Sequence, residues 1–159
     1  MARNQYDYYP TPYWCFEKLP IDWDIFKTAI EPCEGDGRIT KFLQEVGIDT
    51  KGIDLKNGIN YLTTEYQKVD LILTNPPYTL AKEFIEKAIT EAKTVIMLLR
   101  INFLGSQKRH AWWVENEPTA LYVLSKRPSF TGTGTDSTEY AWYVWDTTNK
   151  LNKGIYHVL

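Results

Sequence analysis

Asn75-Pro76-Pro77-Tyr78 is the segment of this sequence whose residue types point most specifically to chemistry. Two prolines stiffen a loop and contribute no N–H donors. The Asn75 side-chain oxygen and the Pro76 carbonyl are thereby left to accept hydrogen bonds from one planar amino group. A nitrogen held in that way can turn its lone pair toward an electrophile, and Tyr78 offers a flat face on which a base can stack. Asn75, Pro76, Pro77 and Tyr78 are the candidate catalytic residues, Tyr78 also serving as a substrate contact.

A second cluster, Glu31-Pro32-Cys33-Glu34-Gly35-Asp36-Gly37, falls where a strand gives way to a helix. Glycines there let the backbone turn tightly and approach a ligand. Asp54, at the end of the next strand, is placed to accept both hydroxyl hydrogens of a ribose, the logic of dinucleotide-binding folds. Charge argues against a nicotinamide dinucleotide, because Glu31, Glu34 and Asp36 would repel a pyrophosphate. A ligand with a cationic amino group and a sulfonium suits the turn better, and S-adenosylmethionine is such a ligand. The alternative is an acidic turn that binds nothing.

The elements that must position these residues are read from periodicity. Pro12 can open a helix capped by Thr11 and running to about Leu19. A strand over Thr28–Glu31 precedes the glycine turn, and Ile39, Phe42, Leu43 and Val46 give a helix over 38–46. A strand follows over 51–55. The apolar strand Val69–Thr74 stops at two prolines that forbid further ladder bonds, so its carboxyl end is a loop. A helix over 80–92, a buried strand over 94–99 and a helix over 105–115 continue the alternation. Strands Ala120–Leu124 and 140–145 are separated by the polar loop 125–139, which can form a hairpin that sets an antiparallel strand at the sheet edge. The fold class is α/β, a mainly parallel sheet with helices on both faces and ligands at the carboxyl ends of its strands.

Bulk properties narrow the reading further. The 159 residues suit one domain, with no separate target-recognition domain, and 43% hydrophobic and 24% charged residues fit a globular chain. No apolar run reaches membrane-spanning length and the start carries no signal-peptide pattern, so a cytoplasmic location, in a bacterium or a phage-infected host cell, is expected. Cys15 and Cys33 would then stay reduced and structural, and no metal site is expected. A net charge of -2 does not advertise a nucleic-acid binder. Any basic surface must be local, with Lys108-Arg109-His110, Lys126-Arg127, Arg100 and Lys93 as candidates. Aromatics crowd both ends, at Tyr6, Tyr8, Tyr9, Tyr13 and Trp14 and again at Tyr140, Trp142, Tyr143 and Trp145. Trp112 and Trp113, adjacent on a helix, point in different directions, one of them into the core. His110 and His157 lack a nucleophile pattern and read as packing or surface residues.

With these motifs in view, the chain resembles the amino-group DNA methyltransferases, in particular the small N6-adenine enzymes of phage type. Tyr9-Pro10-Thr11-Pro12 is similar to the family's methionine-moiety segment. It precedes the Gly35 loop, and Asn75-Pro76-Pro77-Tyr78 follows, which is the gamma motif order. The resemblance implies a Rossmann-like class I methyltransferase fold and S-adenosylmethionine as cofactor, with S-adenosylhomocysteine as product. It places Thr11 with Pro12 and the backbone of Glu31 to Gly37, including Pro32 and Gly35, at the methionine part, Asp54 at the ribose, Asn60 or Tyr61 beside the adenine ring, and Asn75 among the cofactor contacts. Phe130 would stack the flipped base opposite Tyr78, while Lys108, Arg109 and Arg127 would contact DNA. Flipping of the target adenine and direct in-line methyl transfer is the implied reaction.

The chain departs from the family in size, since only a short segment follows the strand over 140–145. Target recognition would then come from the loop 125–139, the loop after Tyr78, a homodimer or a partner protein. The same signature occurs in enzymes that modify RNA bases or protein glutamines, so those substrates stand as alternatives. A partner-dependent or inactive binding module is a further one.

Overall fold

A computed structural model describes residues 9–158, so the expected roles of Tyr6 and Tyr8 lie outside the described residues. Seven strands form one sheet: β1 (Thr28–Glu31), β2 (Asp49–Gly52), β3 (Val69–Thr74), β4 (Ala92–Arg100), β5 (Ala120–Leu124), β6 (Tyr140–Asp146) and β7 (Gly154–Val158). Their spatial order is β2-β1-β3-β4-β6-β5-β7. The first four are parallel, β6 runs antiparallel to both β4 and β5, and β7 is parallel to β5.

Side chains of a strand alternate between faces, so the central strands β1, β3, β4, β5 and β6 feed two cores. In β4, Ile96 and Leu98 join one face, whereas Val95, Met97 and Leu99 join the other. Helix α1 (Arg38–Glu45) and the N-terminal residues Phe16, Leu19 and Phe26 cover the first face. Helices α2 (Ala81–Glu91) and α3 (His110–Glu115) cover the second. The α/β sheet with helices on both faces is the architecture expected from the alternating pattern.

Several expectations need correction. Thr11 caps no helix: only a single 3-10 turn, Tyr13–Cys15, forms there, with Pro12 preceding it and no side-chain cap. The Trp142 indole N–H donates to the Cys15 carbonyl at 2.7 Å, a buried bond that ties the turn to β6 where a continuing α-helix would have used that carbonyl. The expected helix over 105–115 is reduced to α3, preceded by 3-10 turns at Ile101–Leu104 and Gln107–Arg109. Extended backbone at Gly105 and Ser106 separates those turns. The strand expected over 51–55 is β2, two residues earlier, because its carboxyl end turns into a 3-10 segment at Leu55–Asn57.

The antiparallel strand also lies further in than the hairpin reading places it. β6 sits between β4 and β5, and the edge belongs to β7, which the sequence reading passes over. β7 presents Gly154, Ile155 and His157 to solvent and buries Val158, so it carries neither clean alternation nor an apolar run. No helix among the described residues is long and apolar enough to cross a membrane.

Candidate functional site

The sheet changes direction of winding at β1 and β3, and a cleft opens beyond the carboxyl ends of β1, β2 and β3, where open α/β sheets bind ligands. Thr11, Pro32, Gly35, Asp54, Asn60, Tyr61 and Asn75, all candidate cofactor contacts in the sequence, line this one cleft. Pro12, Glu31 and Gly37 do not line it. Gly35 and Gly37 have φ of 60° and 83°, the left-handed region in which a side chain is strained, so the tight turn out of β1 depends on both.

The turn is drawn closed by Asp54. Its Oδ2 accepts the Gly35 N–H at 2.7 Å and its Oδ1 the Lys56 N–H at 2.8 Å. A ribose hydroxyl would therefore meet a carboxylate already engaged once on each oxygen, with a further lone pair on each. Beneath the turn, Glu31 is 1% exposed. Its Oε1 accepts from the Cys33 N–H at 2.9 Å and from the Thr74 hydroxyl, whereas Oε2 is buried without a partner. Burial pushes the Glu31 carboxyl up to about 8, against the pull of those two hydrogen bonds. Burial also pushes the Cys33 thiol well up, with the Glu31 charge second.

The cleft wall is acidic. Glu34, Asp36 and Asp54 face Arg38, whose guanidinium is 2.7 Å from Asp36. Such a wall suits a cation and repels a pyrophosphate. Tyr61, expected with Asn60 to border the adenine ring of a cofactor, reaches the cleft only from its buried wall. It is 2% exposed, packs on Tyr66 and Phe84, and donates its hydroxyl inward to Glu91 at 2.7 Å, which also holds Lys87 at 2.5 Å. Asn60 instead folds its oxygen onto the Leu62 N–H at 3.0 Å.

Asn75 leaves β3 and stands at the far end of the cleft. Its Nδ2 donates to the Tyr9 carbonyl at 3.1 Å and to the Thr11 hydroxyl at 3.0 Å, and its Oδ1 accepts from the Tyr78 hydroxyl at 2.9 Å. A backbone carbonyl can only accept, so the amide orientation is fixed: NH2 toward Tyr9, oxygen toward Tyr78. Thr11, 4% exposed, thus acts on Asn75 as well as on the cleft.

A second cleft lies on the other side of Tyr78, shared with Tyr9, Arg100, Phe130 and Asp136. The Tyr9 and Tyr78 rings are nearly parallel, 15° apart with centroids at 6.4 Å. Phe130, expected to stack a flipped base, is 8% exposed, lines this cleft and packs edge-on against Tyr9 and Tyr140, at 5.9 and 5.2 Å. Three residues of this region, Tyr9, Asp136 and Tyr140, were not among the sequence candidates for contact with a substrate, and Arg100 was named only as part of a local basic surface. The Tyr140 hydroxyl donates to Asp136 at 2.6 Å and accepts from Arg100 Nε at 3.1 Å, and the Arg100 guanidinium lies 5.2 Å from the Tyr78 ring centroid. Only the pairing of Arg100 with Tyr140 across β4 and β6 brings them together, and nothing local in the sequence carries that register. Burial raises the Tyr140 phenol to about 12, with the Asp136 bond adding to it. Burial would raise Asp136, but bonds from Tyr140 and Ser137 and the Arg100 charge outweigh it and hold the carboxyl low.

Of the expected basic contacts, Lys108 is exposed and lines neither cleft, and Arg127 is exposed and paired with Glu139 at 3.3 Å. Arg109 is half-buried against Phe103. Trp113 is buried and Trp112 half-buried, the division expected of adjacent tryptophans.

No family model matches the sequence, and no curated protein matches it. Solved structures match in fold. A Pyrococcus horikoshii protein provisionally described as an RNA methyltransferase aligns at TM-score 0.66 and 13% identity, over 87% of this chain and 86% of that one. A Listeria monocytogenes protein provisionally described as a class I S-adenosylmethionine-dependent methyltransferase aligns at TM-score 0.59 and 9% identity, over 92% of this chain and 62% of the other. A dimethyladenosine transferase from Plasmodium falciparum aligns at TM-score 0.53 and 17% identity, over 82% and 58%. The chain therefore spans less than two thirds of the latter two. The fold is that of the class I methyltransferases.

Proposed function

We propose that this chain transfers a methyl group from S-adenosylmethionine to the exocyclic N6 amino group of adenine in DNA. The observation that carries the reading is the position of Asn75: it lines the acidic cleft and hydrogen-bonds Tyr78, which lines the aromatic one. A methyl donor and a planar acceptor in these two clefts would meet at that side chain.

The residues of the acidic cleft fit the cofactor. Glu34, Asp36 and Asp54 suit its cationic amino group and sulfonium, and Asp54 and Asn60 supply polar contacts for the nucleoside. When bound, S-adenosylmethionine supplies an electrophilic methyl group on a cationic sulfur. Asn75 Oδ1 keeps a lone pair beyond the one taken by Tyr78, and with the Pro76 carbonyl it would accept both hydrogens of the acceptor amine. That leaves the nitrogen lone pair directed out of the amine plane. After transfer, one of those hydrogens leaves as a proton to water, since the methylated nitrogen is cationic until it does.

Adenine in RNA is the second reading, since one fold neighbour is described as an RNA methyltransferase and another as a dimethyladenosine transferase. The loop 125–139, which walls the aromatic cleft, or a second copy or partner protein would supply target choice in a chain acting as one domain. The test is transfer of labelled methyl to unmethylated DNA, with RNA and protein acceptors in parallel and Asn75→Ala as control. Label recovered as N6-methyladenine in DNA, and reduced about 100-fold or more in the control, is expected. Label in RNA alone moves the substrate to RNA, and label in protein alone overturns the reading.

A further inference from the structure

A third cleft opens beside the aromatic one, between Tyr78 and Phe103, with Thr79 and Asn102 in its wall and two arginines, Arg100 and Arg109, at its sides. Tyr78 and Arg100 line both clefts, so the two are separated only by that pair. Each guanidinium is held in place. Arg100 lies over the Tyr78 ring and donates to Tyr140. Arg109 lies 4.4 Å from the Phe103 ring centroid and donates from Nη2 to the Phe103 carbonyl at 3.1 Å.

Their charges are poorly compensated. Asp136 is 3.8 Å from Arg100 Nη2, and that carboxylate is already engaged by Tyr140 and Ser137. Arg109 makes no ion pair among the described residues, and its Nε is buried with no hydrogen-bond partner. A guanidinium with no carboxylate partner at the side of a cleft suits a tetrahedral oxyanion, whose geometry it matches with several donors at once.

We propose that the Tyr78–Phe103 cleft is a phosphate site, in which Arg100 and Arg109 hold the backbone of a polynucleotide substrate beside its target base. The inference rests on the proposed function and deepens it, because a protein glutamine would bring no phosphate to this cleft. Arg109 is a positioning residue here: it carries no sequence information, but it fixes where the strand lies relative to Asn75.

The test is binding of a short fluorescein-labelled single-stranded oligonucleotide to the full chain, followed by anisotropy between about 50 and 200 mM NaCl. Each phosphate neutralised contributes about 0.7 to the slope of log affinity against log salt for a single strand. Arg109→Gln should flatten the slope by about that amount, Arg109→Lys should keep the wild-type slope, and Lys41→Gln, on the far side of α1, should leave it unchanged. An Arg109→Gln slope equal to wild type overturns the phosphate site, as does wild-type binding that ignores salt. Equal flattening in the lysine variant overturns it too, by showing that packing on Phe103 matters and charge does not. The assay needs no methyl transfer. A chain with the expected slopes and no transfer to adenine keeps the phosphate site and loses the proposed function; transfer without the slope change does the reverse.

Discussion

At the scale of single residues, the site depends on how one amide is held. Asn75 is pinned by three bonds, two through its NH2 to Tyr9 and Thr11 and one through its oxygen from Tyr78. The Thr11 hydroxyl is the bond that a small substitution can remove. Thr11→Val keeps the shape and deletes the acceptor, a loss worth about 0.5–1.5 kcal/mol, or roughly a 3- to 10-fold fall in kcat if the amide must be held for transfer. Thr11→Ser should restore most of it, and cofactor affinity should move less than kcat in both variants. Single-turnover kinetics with an equilibrium cofactor titration checks this, and a valine variant whose cofactor affinity falls while kcat holds would return Thr11 to a plain cofactor contact. The sequence makes Thr11 and Asn75 conspicuous separately. Their contact spans most of a domain half, and only the folded chain shows that one serves the other.

At the scale of elements, most of the sheet was legible because buried parallel strands are apolar runs with abrupt ends. Val69–Thr74 matches its expected bounds because Pro76 and Pro77 terminate it by covalent geometry. The N-terminal helix was misread because its fate is decided at long range, by the Trp142 indole reaching the Cys15 carbonyl. β7 was missed for the opposite reason: an exposed edge strand has little burial to leave a pattern. The first of these explanations is testable. Trp142 is fully buried, and Trp142→Phe would strand the Cys15 carbonyl without its donor. The cost should be about 1–3 kcal/mol plus lost packing, read as a lower urea midpoint at unchanged m-value. Because the same turn carries Thr11 and Tyr9 toward Asn75, methyl transfer should fall more than global stability alone accounts for. A variant with wild-type midpoint would mean that the bond does not hold the turn.

At the scale of the whole molecule, acids predominate in the cleft behind Asn75, with Arg38 among them, and arginines flank the cleft beyond Tyr78, with Asp136 beside Arg100. A net charge of -2 averages over both sides, so composition alone could not show where the acids and arginines lie. The acidic side has a consequence for stability. Glu31 is raised from 4.5 to about 8 by burial, so between those values the native chain holds a proton that the unfolded chain has released. Stability must then fall as pH rises through that window, by up to about 1.4 kcal/mol per pH unit from this group, and be indifferent to it below about 4.5. Asp70, Asp136 and Asp146 are held low, and their stabilising charges are lost only as pH drops below the ordinary carboxylate range, so they act outside the Glu31 window. Glu31→Gln keeps the size and the neutral form, and sets an amide donor where Oε2 has no partner. Urea unfolding of both chains at pH 5, 6, 7 and 8 should show the wild type losing stability relative to the glutamine variant with each step upward. Parallel curves would show that Glu31 is ionised inside the fold. A buried cation-seeking carboxylate would then stand behind the glycine turn even without a ligand, and the acid cluster would have to be stabilised by something other than a proton.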